Sequence, residues 1–238
     1  MLNLYERNGL FTWGSEEIQI RNQVASHFEK RIPTILTEMN RAWSFHQIES
    51  PLLTPTSLIN PNYTEEDVWF QNEEDDLVLR PETTPGSYAY AQHLLDTHSN
   101  IYPPFVVWQK GKSFRREQDQ VSKNMRLKEF YQLEFQCFYT ADTMNDYQEN
   151  CLEAVKKAHE DVLALPTRLI ESDRLPSYSL RTMDVEVDNG DKLMEVCSIS
   201  KRTDFEGKFR DKDMLVLEIA IGLDRMVYNI LQRRNPAE

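Results

Sequence analysis

Residues 105–139, FVVWQKGKSFRREQDQVSKNMRLKEFYQLEFQCFY, decide the fold. Their pattern predicts two long strands joined by a charged loop over residues 118–125. Side chains alternate along a strand, so one face of the second strand carries Phe130, Gln132, Glu134, Gln136 and Phe138. This face has phenylalanine at both ends and Gln-Glu-Gln between them. Such a pattern is typical neither of a fully exposed strand face nor of a fully buried one. It predicts a concave polar site floored by a sheet.

The composition is that of an ordinary globular protein. The 238 residues predict one large domain over residues 1–238, and the net charge of −12 disfavours sequence-blind binding to nucleic acid. The three cysteines have no CxxC spacing, which disfavours a disulfide framework or a zinc site and favours a reducing compartment. No signal peptide or apolar run of about 18 residues is visible, so we expect a cytoplasmic protein with no membrane contact.

Helices and strands alternate with turns before the central stretch. A helix is predicted to begin at Ser15 and to kink or break at Pro33. The segment from Phe45 to Leu53 predicts a strand, with Pro51 at an edge or an interface.

A turn of sequence Arg80-Pro81-Glu82-Thr83-Thr84-Pro85-Gly86 joins a short strand to a helix. Such a junction presents side chains and free N–H groups to ligands. A salt-linked surface turn is the other interpretation of Arg80 and Glu82.

The C-terminal part contains a hairpin and a buried strand. The hairpin places Asp184, Glu186 and Glu195 near one another, and a solvated face explains most such acids. Residues 214–221 form a nearly continuous apolar strand in which Glu218 must be paired, neutral or bound to metal. Arg225 opens the last helix and either forms a salt bridge, for example to Asp224, or holds an anion together with the helix N-terminus.

Several common types of functional site are disfavoured because their motifs are absent from the sequence. The sequence contains no GxGxxG, no GxxxxGK followed by Ser or Thr, no GxSxG and no HExxH. These absences argue against Rossmann, P-loop, hydrolase-elbow and zincin chemistry.

Three signatures in order resemble the catalytic domain of class II aminoacyl-tRNA synthetases. They are a helix and strand ending in Pro51, then FRxE followed by a loop and RxxxFxxxE (Phe114, Arg115, Glu117, Arg126, Phe130 and Glu134), and finally Gly222 before Arg225 on a helix. The resemblance covers nearly the whole chain. It implies an α+β fold, in which an antiparallel β-sheet is flanked by helices.

Within the class, the chain is most similar to the glycyl enzymes. Residues 80–86 resemble the RPETAQG run of those enzymes, and residues 201–207 resemble their NRTDYDL run. Residues 218–225 correspond to their EPSxGIxR motif, with Ala220 at the position of the serine that helps to define glycine.

The resemblance implies roles for eight residues. The catalytic arginines are Arg115, on the ATP α-phosphate, and Arg225, on the γ-phosphate. Phe130 stacks on adenine, Glu117 holds the adenine or amino-acid end of the site, and Arg126 holds outer phosphates. A small amino acid is recognised by Glu82, Arg202 and Glu218. Glu218 is also the expected ligand of Mg²⁺.

Two functions of different kinds follow. The first is an enzyme that uses ATP to convert glycine or another small amino acid into an aminoacyl-adenylate, with transfer to tRNA or another acceptor. The second is a non-catalytic paralogue that serves as a binding or accessory subunit, because the sequence stops after the third signature without an anticodon-binding domain. We also expect a homodimer through the Trp43–Leu53 region.

Overall fold

A seven-stranded sheet is the centre of the fold in the computed structural model, which describes residues 5–72, 76–116, 125–143, 147–172, 178–188, 190, 193–205 and 213–234. In chain order the elements are β1 (Tyr5–Arg7), β2 (Leu10–Thr12), α1 (Ser15–Met39), β3 (Ser44–Gln47), β4 (Leu53–Pro55), a 3₁₀ turn (Thr56–Leu58), β5 (Trp69–Asn72), β6 (Leu77–Leu79), α2 (Thr84–Thr97), β7 (Phe105–Phe114), β8 (Glu129–Thr140), α3 (Tyr147–Leu163), β9 (Thr167–Glu171), β10 (Ser179–Asp188), β11 (Leu193–Arg202), β12 (Met214–Gly222) and α4 (Leu223–Arg234).

The sheet is mostly antiparallel, with strand order β3-β7-β8-β12-β11-β10-β9. β3 and β7 run parallel, while the other neighbouring strands of this sheet are antiparallel. β1 and β2 form a small hairpin, and β4, β6 and β5 form a separate three-stranded sheet. The predicted α+β fold and the predicted strand pair of residues 105–139 are both confirmed. Among the described helices, none is long and apolar enough to cross a membrane.

Helices pack on both faces of the sheet. α1, α3 and α4 cover one face, where their apolar residues join Leu133, Phe135 and Cys137 of β8 in a large core. α2 covers the other face and packs against Phe105 and Phe138. The polar row of β8 therefore points to the side of α2, as strand alternation predicts.

Pro33 does not end the first helix. The prediction that the helix could break at this residue was therefore wrong. α1 continues through Pro33 to Met39. Proline removes one hydrogen bond of the helix, but the turns on both sides of it bury Ile32, Ile35 and Leu36 in the core. Burial of three large side chains is worth more than the lost hydrogen bond.

The predicted strand from Phe45 to Leu53 is also wrong. Two short strands, β3 and β4, lie at its ends and belong to different sheets, with Pro51 between them. The carbonyl oxygens of Ser50 and Pro51 accept hydrogen bonds from Nη1 of Arg80, at 2.9 and 3.3 Å, rather than from a neighbouring strand. A side chain therefore satisfies this backbone where a strand would otherwise do so.

Candidate active site

A cavity of about 690 Å³ lies over the sheet, beside the start of α4. Six of the eight predicted site residues line it: Glu82, Arg115, Arg126, Phe130, Glu218 and Arg225. Glu117 and residues 118–124 of the predicted loop lie outside the described residues. Arg202 lies beneath the cavity, with its side chain fully buried. The structure thus brings together residues of the second and third signatures and Glu82 of the turn at residues 80–86.

Arg115 and Phe130 form one wall of the cavity. Arg115 directly follows β7, and its backbone N–H donates to the carbonyl of Lys128, 3.0 Å away, just before β8. Its Nε donates to the carbonyl oxygen of Pro81 at 3.1 Å. The guanidinium carbon lies 5.2 Å from the centre of the Phe130 ring, within the range of a cation–π contact. The end of the strand pair therefore offers an aromatic face and a fixed cation together.

Arg225 enters the cavity from the opposite side. α4 begins directly after β12, which places Arg225 in the first turn of the helix. Its Nη1 lies 3.2 Å from the carboxylate of Glu195 and donates to the carbonyl of the same residue at 3.1 Å. The salt bridge observed here is with Glu195 and not with Asp224, which was the partner named from the sequence. A quarter of the Arg225 side chain stays exposed, so it can reach a ligand.

Arg202 is the centre of a buried charged cluster. Its guanidinium contacts Glu218 at 2.5 Å, Asp204 at 2.6 Å and Glu82 at 3.5 Å. The ring of Tyr178 covers it, with the guanidinium carbon 4.0 Å from the ring centre. Glu218 is therefore paired, which is the first of the three states that its sequence position allowed.

Glu134 is a member of this site that the sequence analysis did not assign to a ligand. It is only 3 % exposed, lies opposite Ala220 of β12, and accepts a hydrogen bond from the hydroxyl of Thr83. Burial, followed by the charges of Glu218 and Glu82, raises the pKa of Glu134 to about 8. Its place in the alternating polar row of β8 was the signal that could have identified it.

The floor of the cavity has more carboxylates than cations. Burial raises the pKa of Glu82, and Arg202 opposes this shift. The negative charges of Glu218 and Asp204 raise the pKa further. Within the described part of the chain, Arg202 contacts Glu82, Asp204 and Glu218, but no ion pair of Glu134 is found. The arrangement can therefore accept one more positive charge.

Arg80 has a structural role that neither interpretation of its turn predicted. It is 3 % exposed and donates to the hydroxyl of Ser50 at 2.7 Å and to the carbonyl of Lys112 at 2.8 Å. Gly111 leaves the space that its guanidinium occupies. Arg80 thus joins the segment before β4 to β7, while Glu82, two residues on, faces the cavity.

The acids of the β10–β11 hairpin lie on a partly exposed face, which is the wall of the cavity. Asp184, Glu186 and Glu195 all line the cavity. Burial and the charge of Glu195 raise the pKa of Asp184 to about 7. Among the described residues, no group of three or more His, Cys, Asp or Glu side chains is arranged to hold a metal ion.

The comparisons with known proteins agree on one family. Residues 63–234 match the family described as "tRNA synthetase class II core domain (G, H, P, S and T)". The chain is 28 % identical over 182 residues to the glycine–tRNA ligase of Mycoplasma genitalium, which covers 67 % of this chain and 41 % of that protein. It is 33 % identical over 135 residues to the glycine–tRNA ligase of Cutibacterium acnes, which covers 54 % of this chain and 28 % of that protein.

A solved structure shares the fold. The prolyl-tRNA synthetase of Cryptosporidium parvum, complexed with halofuginone and AMPPNP, superposes with a TM-score of 0.75 at 13 % identity. The match covers 95 % of this chain and 48 % of the other. The chain spans less than half the length of each of these relatives.

Proposed function

We propose that this chain, which belongs to the class II aminoacyl-tRNA synthetase core family, uses ATP to convert a small amino acid into an aminoacyl-adenylate. The observation that carries the proposal is the division of charge inside one cavity. Arginines line its wall, and a surplus of buried carboxylates forms its floor. A zwitterionic amino acid beside a polyphosphate needs both.

The reaction joins two anions, so the wall residues have a clear task. An oxygen of the amino-acid carboxylate attacks the α-phosphorus of ATP, a bond forms between them, and the bond to the departing pyrophosphate breaks. Arg115 stabilises the charge that develops at the α-phosphate, while Arg126 and Arg225 hold the outer phosphates. Phe130, next to Arg115, offers its face to adenine.

The floor residues suit the ammonium group of the substrate. Glu82 and Glu218 contact the buried Arg202, and Glu134 lies on the same floor, so the charge of an ammonium would offset part of the excess of carboxylates. Glycine is the substrate that the names of the two ligase relatives suggest. Ala220 lines the same cavity with a methyl group, so the site has one hydroxyl fewer than the EPS motif supplies.

Asp184 and Glu195 are a further candidate pair of magnesium ligands, in addition to Glu218, which the resemblance implies. Oε2 of Glu218 already accepts hydrogen bonds from Arg202, Gln136 and Thr84, at 2.5, 2.6 and 3.0 Å. Asp184 and Glu195 also line the cavity wall, and burial together with the negative charge of Glu195 raises the pKa of Asp184. One or two carboxylates together with phosphate oxygens are what Mg²⁺ prefers, so these two residues would hold it. When bound, the ion would neutralise phosphate charge.

The acceptor and the dimer are parts of the same proposal. The adenylate would pass its aminoacyl group to tRNA or to another acceptor. A homodimer through the Trp43–Leu53 region is supported by the exposure of Leu52 and Leu53, at 44 % and 38 %. Trp43 is only 7 % exposed and packs inside the subunit, so it would contribute little. A single subunit in light scattering at micromolar concentration would refute the dimer.

Exchange of radioactive pyrophosphate into ATP tests the activity directly. The wild-type chain should catalyse exchange with one or a few of the twenty amino acids. Arg115→Ala and Arg225→Ala should each reduce the rate by a factor of about 10² or more, as loss of a transition-state donor does. Arg168→Ala is the matched control, because Arg168 is exposed on the edge strand β9 and should leave exchange unchanged.

Two results would contradict the proposal. One is the absence of exchange with every amino acid together with no ATP binding by calorimetry, which would favour the non-catalytic alternative. The other is exchange that survives both arginine substitutions at the wild-type rate. Faster exchange with serine or alanine than with glycine would retain the enzyme but reject glycine as its substrate.

A further inference from the structure

Asp224 occupies the point where the ladder between β8 and β12 ends. The last pair of that ladder is Gln132 with Gly222, after which the chain turns into α4. β8 continues for three more residues toward its start, where it pairs with β7. The N–H of Tyr131 would lose its partner here, but it donates to Oδ2 of Asp224 at 2.8 Å. The carboxylate thus replaces the missing strand.

The second carboxylate oxygen of Asp224 contacts a third element, helix α1. Nη1 of Arg21, on α1, lies 3.5 Å from Oδ1, and the Arg21 guanidinium carbon lies 3.9 Å from the centre of the Tyr131 ring. Asp224 is 3 % exposed. Burial raises its pKa to about 6, although the N–H of Tyr131 and the charge of Arg21 oppose the shift. A group that is costly to bury and bonded on both oxygens fixes its neighbours firmly.

Two residues proposed to bind ATP are adjacent in sequence to Tyr131 and Asp224. Phe130 precedes Tyr131 in the chain, and Arg225 follows Asp224, and both face the cavity. The hydrogen bond from Tyr131 to Asp224 therefore sets the separation between the aromatic face and the arginine across it. The floor residues Glu82, Glu134 and Glu218 are held by other bonds, to Arg202 and Thr83.

We propose that Asp224 is a positioning residue, which fixes Phe130 and Arg225 at the separation that ATP needs without contacting the amino acid. The inference rests on the proposed adenylation function. It predicts a separation of effects, because loss of the bond should weaken the ATP half of the cavity and leave the amino-acid half unchanged. Displacement of a binding group by about 1 Å is enough to cost a large factor in rate.

The test compares Asp224→Ala, Asp224→Asn and Val227→Ala in the exchange assay and by calorimetry with AMPPNP. Asp224→Ala should raise KM for ATP and Kd for AMPPNP about tenfold or more, with KM for the amino acid changed less than twofold. Asp224→Asn keeps an oxygen for the N–H of Tyr131, so it should stay within about threefold of wild type. Val227→Ala, a cavity in the buried face of the same helix, should lower Tm and leave the ratio of the two KM values unchanged.

Three outcomes would overturn the inference. The first is an unchanged KM for ATP in a folded Asp224→Ala protein. The second is an equal rise in both KM values, and the third is the same shift in ratio for Val227→Ala, since both indicate loss of stability alone. If Asp224→Ala does not fold, Arg21→Ala decides, because it removes one of the two contacts of Asp224: a selective rise in KM for ATP supports the inference, and an unchanged KM for ATP overturns it. A wild-type chain that binds neither ATP nor AMPPNP refutes the proposed function itself and with it this inference.

Discussion

Replacement of Arg202 by methionine should destabilise the protein strongly at pH 7.5 and less at pH 5.5. Methionine keeps most of the side-chain volume but removes the charge. The substitution leaves Glu82, Glu218 and Asp204 without the cation that they share at 2.5 to 3.5 Å. Removal of one partner from a buried ion pair costs about 3–5 kcal/mol, because the remaining charge stays buried.

Glu82 allows the pH dependence to be estimated. Its pKa is already above the ordinary value of 4.5 through burial, and loss of Arg202 raises it further. Keeping one such carboxyl group protonated costs about 4 kcal/mol at pH 7.5, three pKa units above 4.5, and about 1.4 kcal/mol at pH 5.5. A pKa raised in the folded state gives a stability that is lost as pH rises. The destabilisation should therefore be smaller by up to about 2.7 kcal/mol at pH 5.5.

Urea denaturation followed by tryptophan fluorescence measures the free energy of unfolding at pH 7.5 and at pH 5.5. Lys157→Met is the matched control, since the pair of Lys157 with Asp161 is 69 % and 46 % exposed and should contribute at most about 0.5 kcal/mol. If Arg202→Met is too unstable to fold at pH 7.5, adding Glu82→Gln should restore folding by removing one charge. A loss below about 1 kcal/mol, or the same loss at both pH values, would refute the interpretation of Arg202 as the buried counterion.

Three further predictions concern single sites. His159→Leu should shift the change in stability between pH 7.5 and 5.0, measured in urea, by about 2 kcal/mol in favour of pH 5.0 relative to wild type, because burial lowers the pKa of this histidine to about 4 and the folded state resists its protonation. Gly111→Ala should cost about 1–3 kcal/mol in the same assay, since the new methyl would collide with the guanidinium of Arg80, which its hydrogen bonds hold in place. Thr83→Val should raise KM for the amino acid and not for ATP at pH 7.5, because loss of the hydroxyl further raises the pKa of Glu134 and leaves it more often protonated.

The strands that form the wall of the site could be predicted because their signal is local. Alternation over residues 105–139 was sufficient to define β7 and β8, and it placed Gln132 and Glu134 on the face that the cavity uses. The helix start after β12 could be predicted in the same way, from a change of period at Gly222. These elements depend on residues that are close in sequence.

The partners across the site could not be predicted in this way. Arg202 and Glu82 are in contact although they are 120 positions apart in the sequence, and the hydrogen-bonded residues Thr83 and Glu134 are 51 positions apart. No periodicity encodes which of many acids a buried arginine contacts. The same limit explains the segment around Pro51, where a side chain from a distant turn satisfies the backbone and a strand is unnecessary.

The buried cluster itself helps to choose between the two functions. A site with Glu82, Glu134 and Glu218 around one arginine is costly, and apolar residues in place of a buried ionic group are often neutral or stabilising by about 1–4 kcal/mol. An accessory subunit would need the sheet and its cores, which do not depend on these charges. An enzyme would need the surplus of negative charge, because an entering ammonium is attracted most strongly where water is excluded. Under the proposed function, a cationic ligand on the floor of the cavity would account for the cost of the cluster to folding.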